Sequence, residues 1–188
     1  MPFKTFHDRH GPGEKYRDLD EEATQRLAAR LPAEVLELLR TDGLCSYGGQ
    51  LFFTVDDKDF EAARLAWLPG FPQVAVFARN AFGDLFLWDG NTIQVLMPHI
   101  GRVGPAAYNI TRFFDETLTS PSFIKDNLLR SEVAKAAEHA GRLEWDEMYG
   151  YEPTLALGGS GRVDTIRRFK VNEHQVLLSQ LQPLRPLI

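Results

Sequence analysis

The stretch Val74-Ala75-Val76-Phe77-Ala78-Arg79-Asn80-Ala81-Phe82-Gly83-Asp84-Leu85-Phe86-Leu87-Trp88-Asp89-Gly90-Asn91-Thr92-Ile93-Gln94-Val95-Leu96 decides the fold class. It holds three β-branched and aromatic runs, 74–78, 84–88 and 92–96. The connectors between them are too short to carry a crossover helix, so parallel pairing is disfavoured. Asp89-Gly90-Asn91 is a hairpin signal, because Gly and Asn accept the positive φ of a tight turn. An antiparallel meander is the prediction.

Upstream, Leu51-Phe52-Phe53-Thr54-Val55 reads as a further strand, entered through a Ser46-Tyr47-Gly48-Gly49 loop. Asp56, with Asp59 three residues on, reads as a capping box for a short helix that Pro69-Gly70 stops. Asp18 to Glu22 places acids in a first helical turn, and a second helix follows Leu31-Pro32 and ends at Thr41-Asp42-Gly43. Residues 1–17 read as an irregular lead-in. Downstream, 106–141 is helical in pattern. Pro153–Leu157 and Ile166–Val171 then read as two strands joined by Gly158-Gly159-Ser160-Gly161, with Asn172 capping a last helix.

The succession predicts an α+β fold: a central, largely antiparallel sheet with helices packed on it, with room for two small subdomains. The Pro- and Gly-rich stretch 98–106 divides an N-terminal region, 1–100, from a C-terminal region, 101–188, and the two can form one compact unit. A chain of 188 residues with 44% hydrophobic content can bury a sizeable core.

Composition narrows the function classes. No apolar run is long enough for a bilayer, and the first residues lack the apolar stretch of a secretory signal. Cys45 is the single cysteine, which rules out an internal disulfide and suits a reducing compartment. The expectation is a cytoplasmic protein that does not engage membranes. A net charge of −5 argues against a nucleic-acid partner, whose affinity comes from Lys and Arg on phosphates, and suits a basic protein partner.

Reaction chemistry finds little support. Gly158-Gly159-Ser160-Gly161-Arg162 exposes backbone N–H groups, which makes a small-ligand site or an enzyme the alternative reading. No Lys-Ser or Lys-Thr follows it, and Arg162 stands where a nucleophile elbow needs Gly. His7 and His10 are two ligands where zinc needs three or four, and His99, His139 and His174 are scattered. Cys45 has no base beside it in sequence. No catalytic, metal or cofactor residue is assigned, and no cofactor is expected. The basic run Arg162, Arg167, Arg168, Lys170 is the one stretch that could serve a nucleic-acid module. A binding role points instead to two acidic clusters, Asp56, Asp57, Asp59 and Glu144, Asp146, Glu147, with Tyr149 and Tyr151 as exposed aromatics beside the second.

Ala81-Phe82-Gly83-Asp84-Leu85-Phe86-Leu87-Trp88 together with Tyr149-Gly150-Tyr151-Glu152-Pro153-Thr154-Leu155-Ala156-Leu157-Gly158-Gly159 resembles a family of bacterial proteins. These join an N-terminal GAD-like domain to a C-terminal immunity domain, and Leu31 to Phe53 and Val171 to Gln175 resemble the same family. Tyr151 stands where Phe is expected in many relatives, and Phe53 where Trp is expected. The resemblance implies an immunity protein of a type VI secretion system, a Tdi-type antitoxin encoded beside a DNase effector. Its implied partner is that toxin, a nuclease with a basic surface, and no catalytic residue is carried over.

Overall fold

The meander forms as its connectors require. In the computed structural model, which describes residues 2–186, the elements run as follows. The N-terminal part is α1 (Lys4–His10), β1 (Glu14–Arg17), α2 (Glu21–Ala28), α3 (Ala33–Asp42), β2 (Leu44–Tyr47), β3 (Phe52–Thr54) and α4 (Glu61–Trp67). Then come β4 (Ala75–Asn80), β5 (Leu85–Trp88), β6 (Ile93–Met97) and β7 (Arg102–Ala107). The last part is α5 (Ile110–Arg112) with a π turn over Phe113–Thr117, α6 (Pro121–Asp126), α7 (Arg130–Ala140), β8 (Glu147–Tyr151), β9 (Ile166–Lys170), α8 (Val171–Leu181) and β10 (Arg185–Pro186).

One eight-stranded sheet has the order β1-β2-β3-β4-β5-β6-β7-β10, and β8 and β9 form a separate antiparallel pair. Every contact in the large sheet is antiparallel except that of β10 with β7. The fold is α+β, as the sequence predicts. The stretch 98–106, predicted as a boundary loop, instead supplies β7, so the sheet runs straight through the division between the two regions.

A β-bulge between Val76 and Ala78 lets Phe77 reach the helical face of the sheet, near Phe113 and Phe114. There Phe6, Phe52, Phe86, Phe113 and Phe114 form a fully buried aromatic cluster in tilted and edge-on pairs. Phe3 stacks on Phe114 at 4.1 Å. This explains why α1 and β1 form where the sequence reads as an irregular lead-in. Phe3 and Phe6 bury themselves in that cluster, and Asp115 accepts the Phe6 N–H at 3.0 Å, capping α1 from a distant part of the chain.

The opposite face carries Phe53 and Arg79, paired across β3 and β4. The Arg79 guanidinium is fully buried, 3.7 Å from the Phe53 ring centroid, and burial lowers its pKa to about 10. It donates to the carbonyls of Asn80 (3.0 Å) and Trp145 (2.7 Å), so the strap 142–146 lies over it. Trp145 also stacks on Tyr16.

Two further readings change. Pro153–Leu157 is not a strand: the partner of β9 is β8, and Leu155–Leu157 forms a 3-10 turn closed by Gly158 at φ +80°. Glycine is needed there because the left-handed region penalises a Cβ. Asn172 does not cap its own helix. Its Oδ1 accepts Ala63 N–H at 3.0 Å and its Nδ2 donates to Asp59 O at 2.7 Å, so it caps α4 across the fold.

Candidate partner-binding surface

The first acidic cluster is not an acidic face. Asp56 and Asp57 are 5% and 2% exposed, and Asp59 is half-buried. Asp56 receives Arg26 Nη2 at 2.6 Å on both oxygens, and Asp59 binds Arg17. Asp57 pairs with Arg30, accepts Val76 N–H at 2.7 Å and lies 3.8 Å from Arg64. Burial raises the Asp57 pKa, opposed by those same partners. Asp56 ties to α2, Asp57 to the turn that follows it and Asp59 to β1, and Asp56 caps the turn Asp57–Phe60. The expectation of an exposed patch here is corrected: desolvated carboxylates need partners, and four arginines supply them.

The second cluster is more open. Glu144 is exposed, while Asp146 and Glu147 are half-buried. Lys170 Nζ lies 2.8 Å from Asp146, and Arg168 lies 3.4 Å from Glu147. Arg162 pairs with Asp164 and Arg167 with Glu152, so each residue of the basic run has an acidic neighbour. Neither sign dominates this face.

Tyr149, expected to be exposed, is fully buried, a second correction. Its N–H donates to Ala81 O at 2.9 Å and its hydroxyl to Gly141 O at 2.7 Å, so it fastens β8 to the Phe-Gly-Asp turn of the meander. At that turn Gly83 has φ +85°, and a Cβ there would lie 2.6 Å from Met148 Sδ. Tyr151 stays half-buried and stacks on Phe82.

The Gly158–Gly161 loop belongs to the long connector 152–165 between β8 and β9. A Cβ on Gly159 would lie 2.0 Å from Pro153 O, so glycine is required for the connector to fold back on itself. Ser160 Oγ accepts Arg162 N–H at 3.3 Å, a bond within the loop itself.

Cys45 is buried, donates to Asp42 O at 3.2 Å, and burial pushes its thiol up to about 11, away from reactivity. His7 binds Asp42 at 2.7 Å and His10 binds Leu118 O at 2.8 Å, so both tether α1. Among the described residues, no group of three or more His, Cys, Asp or Glu side chains is arranged to hold a metal ion, and no helix is long and apolar enough to cross a membrane.

One feature escapes sequence reading. The connector and α8 enclose a groove of about 340 Å³, lined by Tyr151, Thr154, Leu157, Phe169, His174 and Leu177 among others. Its apolar lips are Leu157, 63% exposed, and Leu177, 46% exposed. Leucines beside a glycine-rich turn were the available signal. Read as part of a strand, they concealed it.

The whole net charge of −5 falls in residues 1–99, and the rest of the chain is balanced. Residues 2–99 match the model of the GAD-like domain, and residues 107–182 match that of the T6SS immunity protein Tdi1, C-terminal. No curated protein matches the chain. Among solved structures, the crystal structure of Atu4351 from Agrobacterium tumefaciens is similar, with a TM-score of 0.78. The identity is 17%, covering 98% of this chain and 91% of that one, which establishes a shared fold. With both matches in order along one continuous sheet, the chain belongs to the family that joins a GAD-like domain to a Tdi1-type C-terminal domain of type VI secretion immunity proteins.

Proposed function

We propose that this protein binds and neutralises a cognate type VI secretion effector, a DNase, in the cytoplasm of the cell that makes it. The observation that carries the reading is the ordered pair of matches, 2–99 and 107–182, which together span nearly the whole chain. The mode of action is stoichiometric: one immunity chain occupies one effector, with no turnover and no cofactor.

Electrostatics support a basic partner. A nuclease presents Lys and Arg to phosphates, and an acidic inhibitor is steered toward that surface. Here the steering charge is in the N-terminal half, where Asp18, Asp20, Glu21, Glu22, Glu34 and Glu37 are exposed on and around α2 and α3. Neutralising a lethal enzyme demands a Kd on the order of nanomolar or below.

The test is co-expression with the effector encoded beside this gene. Cells should survive only when both are made, and the two chains should co-purify one to one. Death despite co-expression, with no complex, would overturn the reading.

A further inference from the structure

We infer that the groove between the β8–β9 connector and α8 receives an apolar side chain of the effector, flanked on the effector by Lys or Arg. This rests on the immunity reading above and adds the face that does the binding.

Exposed large apolar residues gather at this place. Leu157 and Leu177 form the lips, and Leu155 and Ile100 (37% and 55% exposed) lie on adjoining turns that pack against each other and against α8. Single exposed leucines are ordinary, whereas a contiguous group marks an interaction site. The lining fits an apolar or aromatic anchor: the Phe169 ring stacks on His174 at 4.2 Å with an interplanar angle of 14°, and Tyr151 lines the same groove. Anchor pockets of this kind dominate interface energetics, surrounded by a rim that excludes water.

Polar groups at the groove lack partners. Thr154 is 7% exposed and stands at the N-cap of the turn Leu155–Leu157, yet its hydroxyl caps nothing and makes no hydrogen bond. His174, 4% exposed, has an unpartnered Nε2. Buried polar groups are ordinarily satisfied, so two unpaired ones behind the apolar lining mark this groove.

Charge selects the flank of that chain. Lys170 is held by Asp146 at 2.8 Å, and Glu152 lies 3.5 Å from Arg167. Glu173, exposed at the rim, makes no ion pair among the described residues. The uncompensated charge is negative, so the complementary flank is basic. The lining lies within 107–182, the segment that matches the immunity domain.

The experiment titrates wild type, Leu157→Asp/Leu177→Asp and Leu157→Met against the neighbouring effector, made catalytically inactive. The double variant should lose about 100-fold or more in affinity, and its rescue of growth, with an unchanged melting temperature. Leu157→Met should stay within about threefold, since volume is conserved. Glu173→Lys should slow association several-fold at low salt, the signature of a rim charge. Wild-type affinity in the folded double variant, beside a tight wild-type complex, overturns the groove and leaves the immunity reading standing. No complex with wild type overturns both. Loss of a self-associated species in light scattering, with effector binding intact, assigns the groove to a second copy and also overturns the inference.

Discussion

The side chain of Gln50 and the backbone of Leu143 exchange two hydrogen bonds, Nε2 to Leu143 O at 2.8 Å and Leu143 N to Oε1 at 2.9 Å. An amide side chain thus acts as a strand would, and both partners are buried. Gln50 stands at φ +71°, a conformation few side chains adopt without compensation. The pair fastens the strap 142–146 over the sheet and joins the two regions of the chain.

Gln50→Ala leaves both Leu143 backbone groups orphaned in a dry site. Each buried unpaired group costs about 1–3 kcal/mol, so a loss of about 2–6 kcal/mol is expected. Urea unfolding followed by tryptophan emission measures it. A change under about 0.5 kcal/mol, the usual range for surface substitutions, shows that water replaces the contact freely.

Asp57→Ala should destabilise the fold by about 3–5 kcal/mol, because it strips the partner from buried Arg64, half-buried Arg30 and Val76 N–H. Charge reversal at Asp56, Asp57 and Asp59 together should therefore fail to fold, seen as a lost near-ultraviolet circular dichroism signal. Reversal of Glu144, Asp146 and Glu147 should leave a folded protein, since those groups are partly or fully exposed. A folded first triple variant with weakened effector binding would restore that cluster as a contact surface.

Asp84 and His174 set opposite pH trends. Burial raises the Asp84 carboxyl to about 7, so the folded state holds its proton in a window where the unfolded chain has released it. Its contribution is present below about pH 4 and is lost as pH rises through 7. Asp84→Asn keeps an acceptor for Asn80 Nδ2, which lies 2.8 Å away, and carries no charge. It should raise the melting temperature at pH 8 and change little at pH 4. An equal shift at both pH values would refute the burial argument.

Burial lowers His174 to about 4, and His99 is also lowered. Neutral imidazole is the folded form, so this contribution is full above about pH 6.5 and is lost as pH falls toward 4. Thermal melts between pH 7 and pH 4 should show the decline, with a shallower slope in His174→Gln.

Gly83→Ala should destabilise by more than about 1 kcal/mol, because the turn needs positive φ and the new Cβ would meet Met148. Chemical denaturation measures it, and an unchanged midpoint would show that Met148 moves aside at no cost.

The meander and its turns were legible because their signals are local: alternation, connector length and glycine at a reversal. Tyr149 and Tyr151 share one local pattern, yet the first is buried and the second half-buried, since what covers each comes from elsewhere in the chain. Asn172 has the chemistry of a cap, and the sequence could not say which helix it serves. Asp56 and Asp57 looked like a surface because their arginines lie far away in sequence, on α2 and just beyond it.

By itself, then, the amino-acid order determined the α+β class, the antiparallel meander and the family resemblance, all carried by short-range pattern or by motif order. Only the tertiary structure decided which charges are paired, which aromatics are covered, that one sheet spans both regions, and that a groove opens beside α8. Those properties depend on desolvation and on contacts between residues distant along the chain, and neither is encoded in any local window.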